Sequence, residues 1–440
     1  MGRLSEDLVL NTGFLNLGMK FFGVEMQIRK IIRKKYKIIA TKFPILNEII
    51  YSTNAFPLFV PRIPAIGDFN ILKKALSGSR LAEDVFGKKV ASKGVGMVSD
   101  ILDRAILRQS DQIFKNFSKY VEICENTDFD LPCYSTKLFY GSILQNQKII
   151  DASLAFGTPC TMTNKSYDYI SQVINDVIYL DIPKCSQSDN SLDLMTEEIQ
   201  KFITKLETLA GPIDEDKVIN YTNLTNDIKK LYFEFLDIFK KDDSLPIAPQ
   251  SFKFMISMLN SIYIDLIAAP KYLYKNFKRL IQDLITRKNE GNGYNASNSL
   301  RILLIPSLGG FEHTICDKLA KQDVYLFYFD FLFYNLFNKI ETGTDWIKNQ
   351  AKFCLDFNAS WNSFYSVIQE WIKLVKKLEI DGVIFNHVSG CDFLSNAQQQ
   401  FKTELQKINK PMTTINFSHL GENLQESYNK IDALIKILKN

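Results

Sequence analysis

The sequence predicts an α/β protein: two Rossmann-like domains whose parallel sheets face a cleft, with helices before the first domain and a helical segment between the two. Three observations carry this. Apolar runs in KIIATKFPILNEIIYSTNAFPLFVP, KIIDASLAFGTPC, VIYLDIPK, LRILLIPS, VYLFYFD, IDGVIFNHV and PMTTINF lack strict polar alternation, as strands covered on both faces require. They are separated by segments of helical period, the order that builds βαβ units. A polar Gly/Asn/Ser run, RKNEGNGYNASNS from Arg287 to Ser299, divides the chain into two such stretches.

The elements follow in order. Residues 1–36 read as an N-terminal helical extension, with a helical pattern from Leu4 to Lys35. The first α/β domain is placed at 37–190. It begins strand, helix, strand, with Pro44 ending the first strand and Glu48 at the start of the helix. An insertion near 66–94, rich in Gly, Lys and Ser, precedes a long helix from roughly Met97 to Cys124. Then come DLPCYSTKLFYGSIL, the strand in KIIDASLAFGTPC, a helix from Lys165 to Asn175 and the strand in VIYLDIPK. Residues 191–287 read as helical, with amphipathic runs such as DIKKLYFEFLDIFKK. The linker is placed at 288–299 and the second α/β domain at 300–440, where a helix from Ser395 to Leu405 follows IDGVIFNHV. A chain of 440 residues is long enough for two or three separate cores.

Composition narrows the function. A net charge of +4, without a basic stripe interleaved with aromatics, argues against nucleic acid. The basic cluster from Arg29 to Lys37 reads as a solvated helix face. The most apolar stretch, Val324 to Phe337, is short and broken by Asp330 and Asn335, so no membrane span is expected. Glu6 and Asp7 precede any apolar run, unlike a signal peptide. Seven cysteines, none in a C-x-x-C pair, then point to a reducing, cytoplasmic setting and exclude a zinc ribbon. With only His313, His387 and His419, a histidine-rich metal site is not expected.

The cysteines carry the chemistry. Cys391 stands just after an apolar strand and before a helix, and Cys160 holds the same kind of place in the first half. Cys133 lies just before a helix leading into the Cys160 strand. In open α/β sheets the carboxyl ends of the strands are where ligands bind. A small buried filler is the alternative for any one of them. If the two halves face each other, three thiolates meet in the cleft, and three thiolates hold an iron–sulfur cluster through three irons with the fourth open.

The order FPILNEIIYSTNAFPLFVP, PCYSTKLFYG, TPCTMTNKSYDYI, YLDIPK and GVIFNHVSGCDFLSNAQQQFKTELQKINKPMTTINF resembles the subunits of 2-hydroxyacyl-CoA dehydratases and benzoyl-CoA reductases, with a D-component-like layout from about Lys37 to the C-terminus. Thr161 departs from the pattern, since an acidic residue often follows the second cysteine. The resemblance implies that Cys133, Cys160 and Cys391 ligate a [4Fe-4S] cluster, with Cys124 competing with Cys133 for the first place. Cys316 and Cys354 are expected to pack in cores, and Cys185 lies in a loop after YLDIPK. It further implies a lyase acting on a 2-hydroxyacyl-CoA by a radical route, in a heterodimer with a related second subunit. An ATP-dependent iron–sulfur activator would supply the electron. Glu48 and His387 are the candidates for moving protons. The alternatives are an acyl-CoA reductase subunit, a non-catalytic electron-relay partner, and a plain α/β binding protein whose cysteines all pack as core.

Overall fold

The computed structural model describes residues 7, 11–63, 115–129, 131–183, 190–306, 313–329, 336, 338–362, 364–389, 391–417 and 422–440. The insertion near 66–94, Cys185 and His419 lie outside them. The N-terminal run forms two helices, α1 (Thr12–Phe22) and α2 (Val24–Arg33), separated at Gly23.

The first sheet follows the predicted alternation. Strand β1 (Lys37–Ala40), helix α3 (Asn47–Tyr51) and strand β2 (Ala55–Leu58) come first; α4 (Tyr134–Asn146), β3 (Ala152–Phe156), α5 (Thr161–Ile170) and β4 (Val177–Leu180) complete it. All pairings are parallel, in the order β2-β1-β3-β4, with Ile38 opposite Phe56, Ile39 opposite Ala152 and Leu154 opposite Ile178. Helix α5 starts four residues earlier than its sequence pattern indicates, directly after Cys160. Gly141 lets α4 approach helical residues 115–125, because a Cβ there would collide with the Tyr120 carbonyl.

Between the sheets the chain is helical: α6 (Ser191–Ala210), α7 (Glu215–Ile238), α8 (Pro249–Tyr263) and α9 (Pro270–Asn289). Two short antiparallel strands, β5 (Ser244–Leu245) and β6 (Tyr294–Asn295), pair here, so the polar run after α9 is partly tied down. Just after α8, Leu266, Ile267 and Ala268 all take positive φ, near 51–53°, an unfavourable backbone for side chains with a Cβ. Asp265 pins that turn: its carboxylate accepts from Ile267 N, from Phe59 N at 2.9 Å and from Arg62 Nη2 at 2.7 Å.

The second sheet repeats the first. Strand β7 (Leu300–Ile305), helix α10 (His313–Lys321), β8 (Val324–Tyr328), α11 (Trp346–Asn362), α12 (Phe364–Lys377), β9 (Gly382–Val388), α13 (Asp392–Lys407), β10 (Met412–Phe417) and α14 (Leu424–Lys439) give the parallel order β10-β9-β7-β8. Read from the other edge this is β8-β7-β9-β10, the topology of the first sheet. Every residue of β7 and β8 is buried, as a strand covered on both faces must be. Arg301, in β7, is accommodated by donating to the carbonyls of Phe239 and Lys240 at 3.1 and 2.8 Å.

The cores explain how the halves are joined. One large core runs from α1 through α7, α8 and α9 onto the second sheet. The first sheet has a core on each face, one with α2, α4 and α5 and the other with α6. Helix α11, late in the chain, returns to that second face. Its Phe357 ring lies 6.3 Å from Phe43 and 5.8 Å from Phe156.

Candidate functional site

A parallel sheet opens a crevice where its strand order reverses direction. In the first sheet this point lies between β1 and β3, and in the second between the matching strands β7 and β9. Cys160 follows β3 and Cys391 follows β9, so the two cysteines hold equivalent places in a repeated topology.

All three predicted cysteines are helix N-cap residues in extended backbone: Cys133 opens α4, Cys160 opens α5 and Cys391 opens α13. Each is partly exposed, and none is in a disulfide. Helix N-termini present unpaired N–H groups and favour negative charge. The turns are locally fixed. Asn164 accepts from Thr158 N at 3.1 Å and donates to Thr158 O at 2.8 Å, while Cys160 N donates to Thr158 Oγ1 at 3.3 Å. Thr136 Oγ1 donates to the Cys133 carbonyl at 2.7 Å. Cys391 N donates to Val388 O at 3.1 Å.

A buried cation joins the first two. Lys42, just past the end of β1, is 8 % exposed and donates to Thr163 Oγ1 at 3.2 Å. Burial pushes its pKa down, while Cys133 and Cys160 act in the opposite sense. Contacts also lead from Cys133 to the second half. The ring of Tyr134 lies 6.2 Å from that of Phe417. Phe417 pairs with Val388, whose carbonyl holds Cys391 N.

The two proton-handling candidates lie in different surroundings. Glu48 is buried in α3, with its pKa raised by desolvation. Its neighbours are Thr225 and Lys229 of α7, Tyr263 of α8 and Cys354 of α11, a different set from those around Cys133 and Cys160. Lys229 is 1 % exposed, pushed down to about 7 by burial, and donates to Asn338 O at 2.7 Å. Its ammonium stands 4.3 Å from the Phe353 ring centroid, a contact that attracts a cation. Glu48 therefore faces a buried lysine within the helical core. His387, near the end of β9, is partly buried. Its Nε2 meets Ser395 Oγ at 2.9 Å, and that hydroxyl donates to the Cys391 carbonyl at 3.3 Å. Desolvation lowers the imidazole pKa, so the ring is neutral near pH 7.

Other cysteines separate cleanly. Cys124, Cys316 and Cys354 are fully buried in cores, and burial pushes Cys124 up to about 11. Among the described residues no three His, Cys, Asp or Glu side chains gather round one point suited to a single metal ion. No helix among them is long and apolar enough to cross a membrane. Lys42 and Lys229 are functional-looking groups that the motif reading missed. Lys42 follows an apolar strand by two residues, just as the carboxyl-end rule requires. Lys229 sits on the buried stripe Val218, Thr222, Thr225, Lys229, Tyr232 and Leu236, legible from its helical spacing.

A comparison with curated proteins returned no match. The family model described as 2-hydroxyglutaryl-CoA dehydratase, D-component, matches residues 114–438. That span contains Cys133, Cys160 and Cys391. It starts beyond Lys42 and Glu48, later than the resemblance traced from Lys37. With well over half of its length matched, the chain belongs to the 2-hydroxyglutaryl-CoA dehydratase D-component family.

Proposed function

We propose that the chain is an iron–sulfur subunit of a 2-hydroxyacyl-CoA dehydratase-type enzyme, a lyase that removes water from a 2-hydroxyacyl-CoA thioester. In this reading it works with a related second subunit and is charged by an ATP-dependent iron–sulfur activator, in a reducing cytoplasm. The observation that carries it is the equivalence of Cys160 and Cys391 at the switch points of two like sheets, with Cys133 beside the first.

Cys133, Cys160 and Cys391 would hold a [4Fe-4S] cluster. The donor set suits it: three thiols, all partly exposed, at three helix starts, two of them acting on the buried Lys42. Cluster thiolates bind separate irons, so they need not converge on one point. The chemistry such a cluster supplies when bound is one-electron reduction of the thioester carbonyl, so that the 2-hydroxyl leaves from a ketyl radical and the β-hydrogen becomes acidic. The chain's own part is positional. Asn164 and Thr158 hold the Cys160 turn, and the Ser395 hydroxyl links the Cys391 turn to His387. His387, neutral and partly exposed, can accept a proton beside the Cys391 turn. Glu48 in this reading acts as a buried partner of Lys229.

That burial favours a second reading, an electron-relay or partner subunit in which the related chain supplies the base. Anaerobic assay of the heterodimer with activator and ATP, following enoyl-CoA formation by absorbance, separates them. Water loss that falls at least tenfold in a His387→Gln variant supports a catalytic subunit. Undiminished water loss in that variant favours the relay. Absence of turnover with any 2-hydroxyacyl-CoA contradicts both.

A further inference from the structure

Lys42 is an expensive residue to bury. Lysine carries three N–H donors, and among the described residues its ammonium makes one hydrogen bond, to the neutral hydroxyl of Thr163. The Phe43 ring, 5.8 Å away, adds a modest attraction. No acidic residue stands in the first turn of α4 or of α5, so neither helix start supplies a carboxylate. Among the described residues no salt bridge to Lys42 is found, and a buried ammonium so placed is strongly disfavoured unless an anion comes to it. Among the described residues, the charges that act on it are those of Cys133 and Cys160. Thr163, its anchor, lies three residues into the helix that Cys160 opens.

We propose that Lys42 is the fixed counter-ion of the cluster at Cys133 and Cys160, and that its charge sets how readily that cluster accepts an electron. This rests on the functional reading above. The step involves no bond making or breaking. One electron passes from the reduced activator, one negative charge is added to the cluster and its thiolates, and the nearby ammonium stabilises that added charge in a site of low polarity.

The test compares three full-length chains, wild type, Lys42→Met and Lys42→Arg, prepared without oxygen and supplied with iron and sulfide. Midpoint potential is read by electron paramagnetic resonance during reductive titration, iron loss by the rate of transfer to a chelator, and folding by thermal melting of the iron-free chains. In Lys42→Met the cluster is expected to be reduced only at a more negative potential and to lose iron several-fold faster, with Lys42→Arg close to wild type. The iron-free Lys42→Met chain should melt no lower than wild type, since a poorly partnered cation has been removed. Unchanged potential and iron loss in Lys42→Met overturn the inference alone. So does an iron-free Lys42→Met chain that unfolds well below wild type, because Lys42 is then a structural brace. A wild-type chain that takes up no iron overturns the functional reading first and this inference with it.

Discussion

Cys160 and Cys391 follow matching strands of two sheets with one strand order, but the residues described around them differ. At the first, the residue two places past β1 is a buried lysine, tied to the helix that Cys160 opens. At the second, the matching strand β7 runs into Pro306, whose carbonyl accepts from Asn386 at 3.2 Å, and the Cys391 turn is tied through the Ser395 hydroxyl to the imidazole of His387. The repeated topology fixes where a sulfur can stand. Individual side chains decide whether that place is cationic. Among the described residues, the first half sets a buried lysine against the helix that Cys160 opens, and the second sets a hydrogen-bonded turn at Cys391.

The comparison breaks most visibly at the sulfurs. Cys160→Ser and Cys391→Ser are each expected to lose most bound iron, whereas Cys124→Ser, buried in a core, keeps it; iron analysis of anaerobic preparations reads this. Iron retained in Cys160→Ser but lost in Cys124→Ser would move the site. Stability should be asymmetric too. The first half is braced by the buried Arg62–Asp265 pair, 2.7 Å apart. Asp265→Ala leaves an unpaired buried guanidinium and is expected to cost about 3–5 kcal/mol in urea unfolding. A loss below ~1 kcal/mol would show that the left-handed turn it pins does not matter.

Lys229 gives a pH signature. Its folded pKa is depressed to about 7 from an ordinary value of 10.5, so the folded chain resists a proton that the unfolded chain binds. That penalty is fully felt below about pH 7 and fades as pH rises toward 10.5, so stability from this group increases across that window. Glu48, with a raised pKa, acts in the opposite sense as pH rises through the carboxylate range above 4.5. The unfolding free energy between pH 7 and 10 should rise in wild type, by roughly 3 kcal/mol, and flatten in Lys229→Met. Equal slopes would sink the assignment. The smallest effect is expected at the second half. His387→Asn should change stability by less than ~1 kcal/mol, since the ring is partly exposed and hydrogen-bonded to one hydroxyl. Wild type should lose a little stability below pH 6.5, where the lowered imidazole must be charged.

Most of the sheet architecture was legible because both sheets are parallel and buried, and such strands read as apolar runs with no second period to confuse them. The places of the three cysteines in the fold were legible for the same reason, since each follows a strand or opens a helix. Helix starts were less so. Helix α5 begins at Thr161, not Lys165, because its first turn, TMTN, carries no apolar spacing and is set by the Asn164–Thr158 bonds. The role expected of Glu48 rested on its place at a helix start. Its actual neighbours come from α7, α8 and α11, far along the chain, and no local pattern reveals them. Lys42 went unnoticed because a lysine after a strand is ordinarily solvated, and only its burial against Thr163 sets it apart.

The central claim is that Cys391 shares one cluster with Cys133 and Cys160 across the two halves. Iron and acid-labile sulfide per chain, measured on anaerobic wild type beside Cys391→Ala, test it most directly. About four irons per wild-type chain, lost in the variant, is the expected result. A wild-type chain without iron, or a variant that keeps all of it, would contradict the claim.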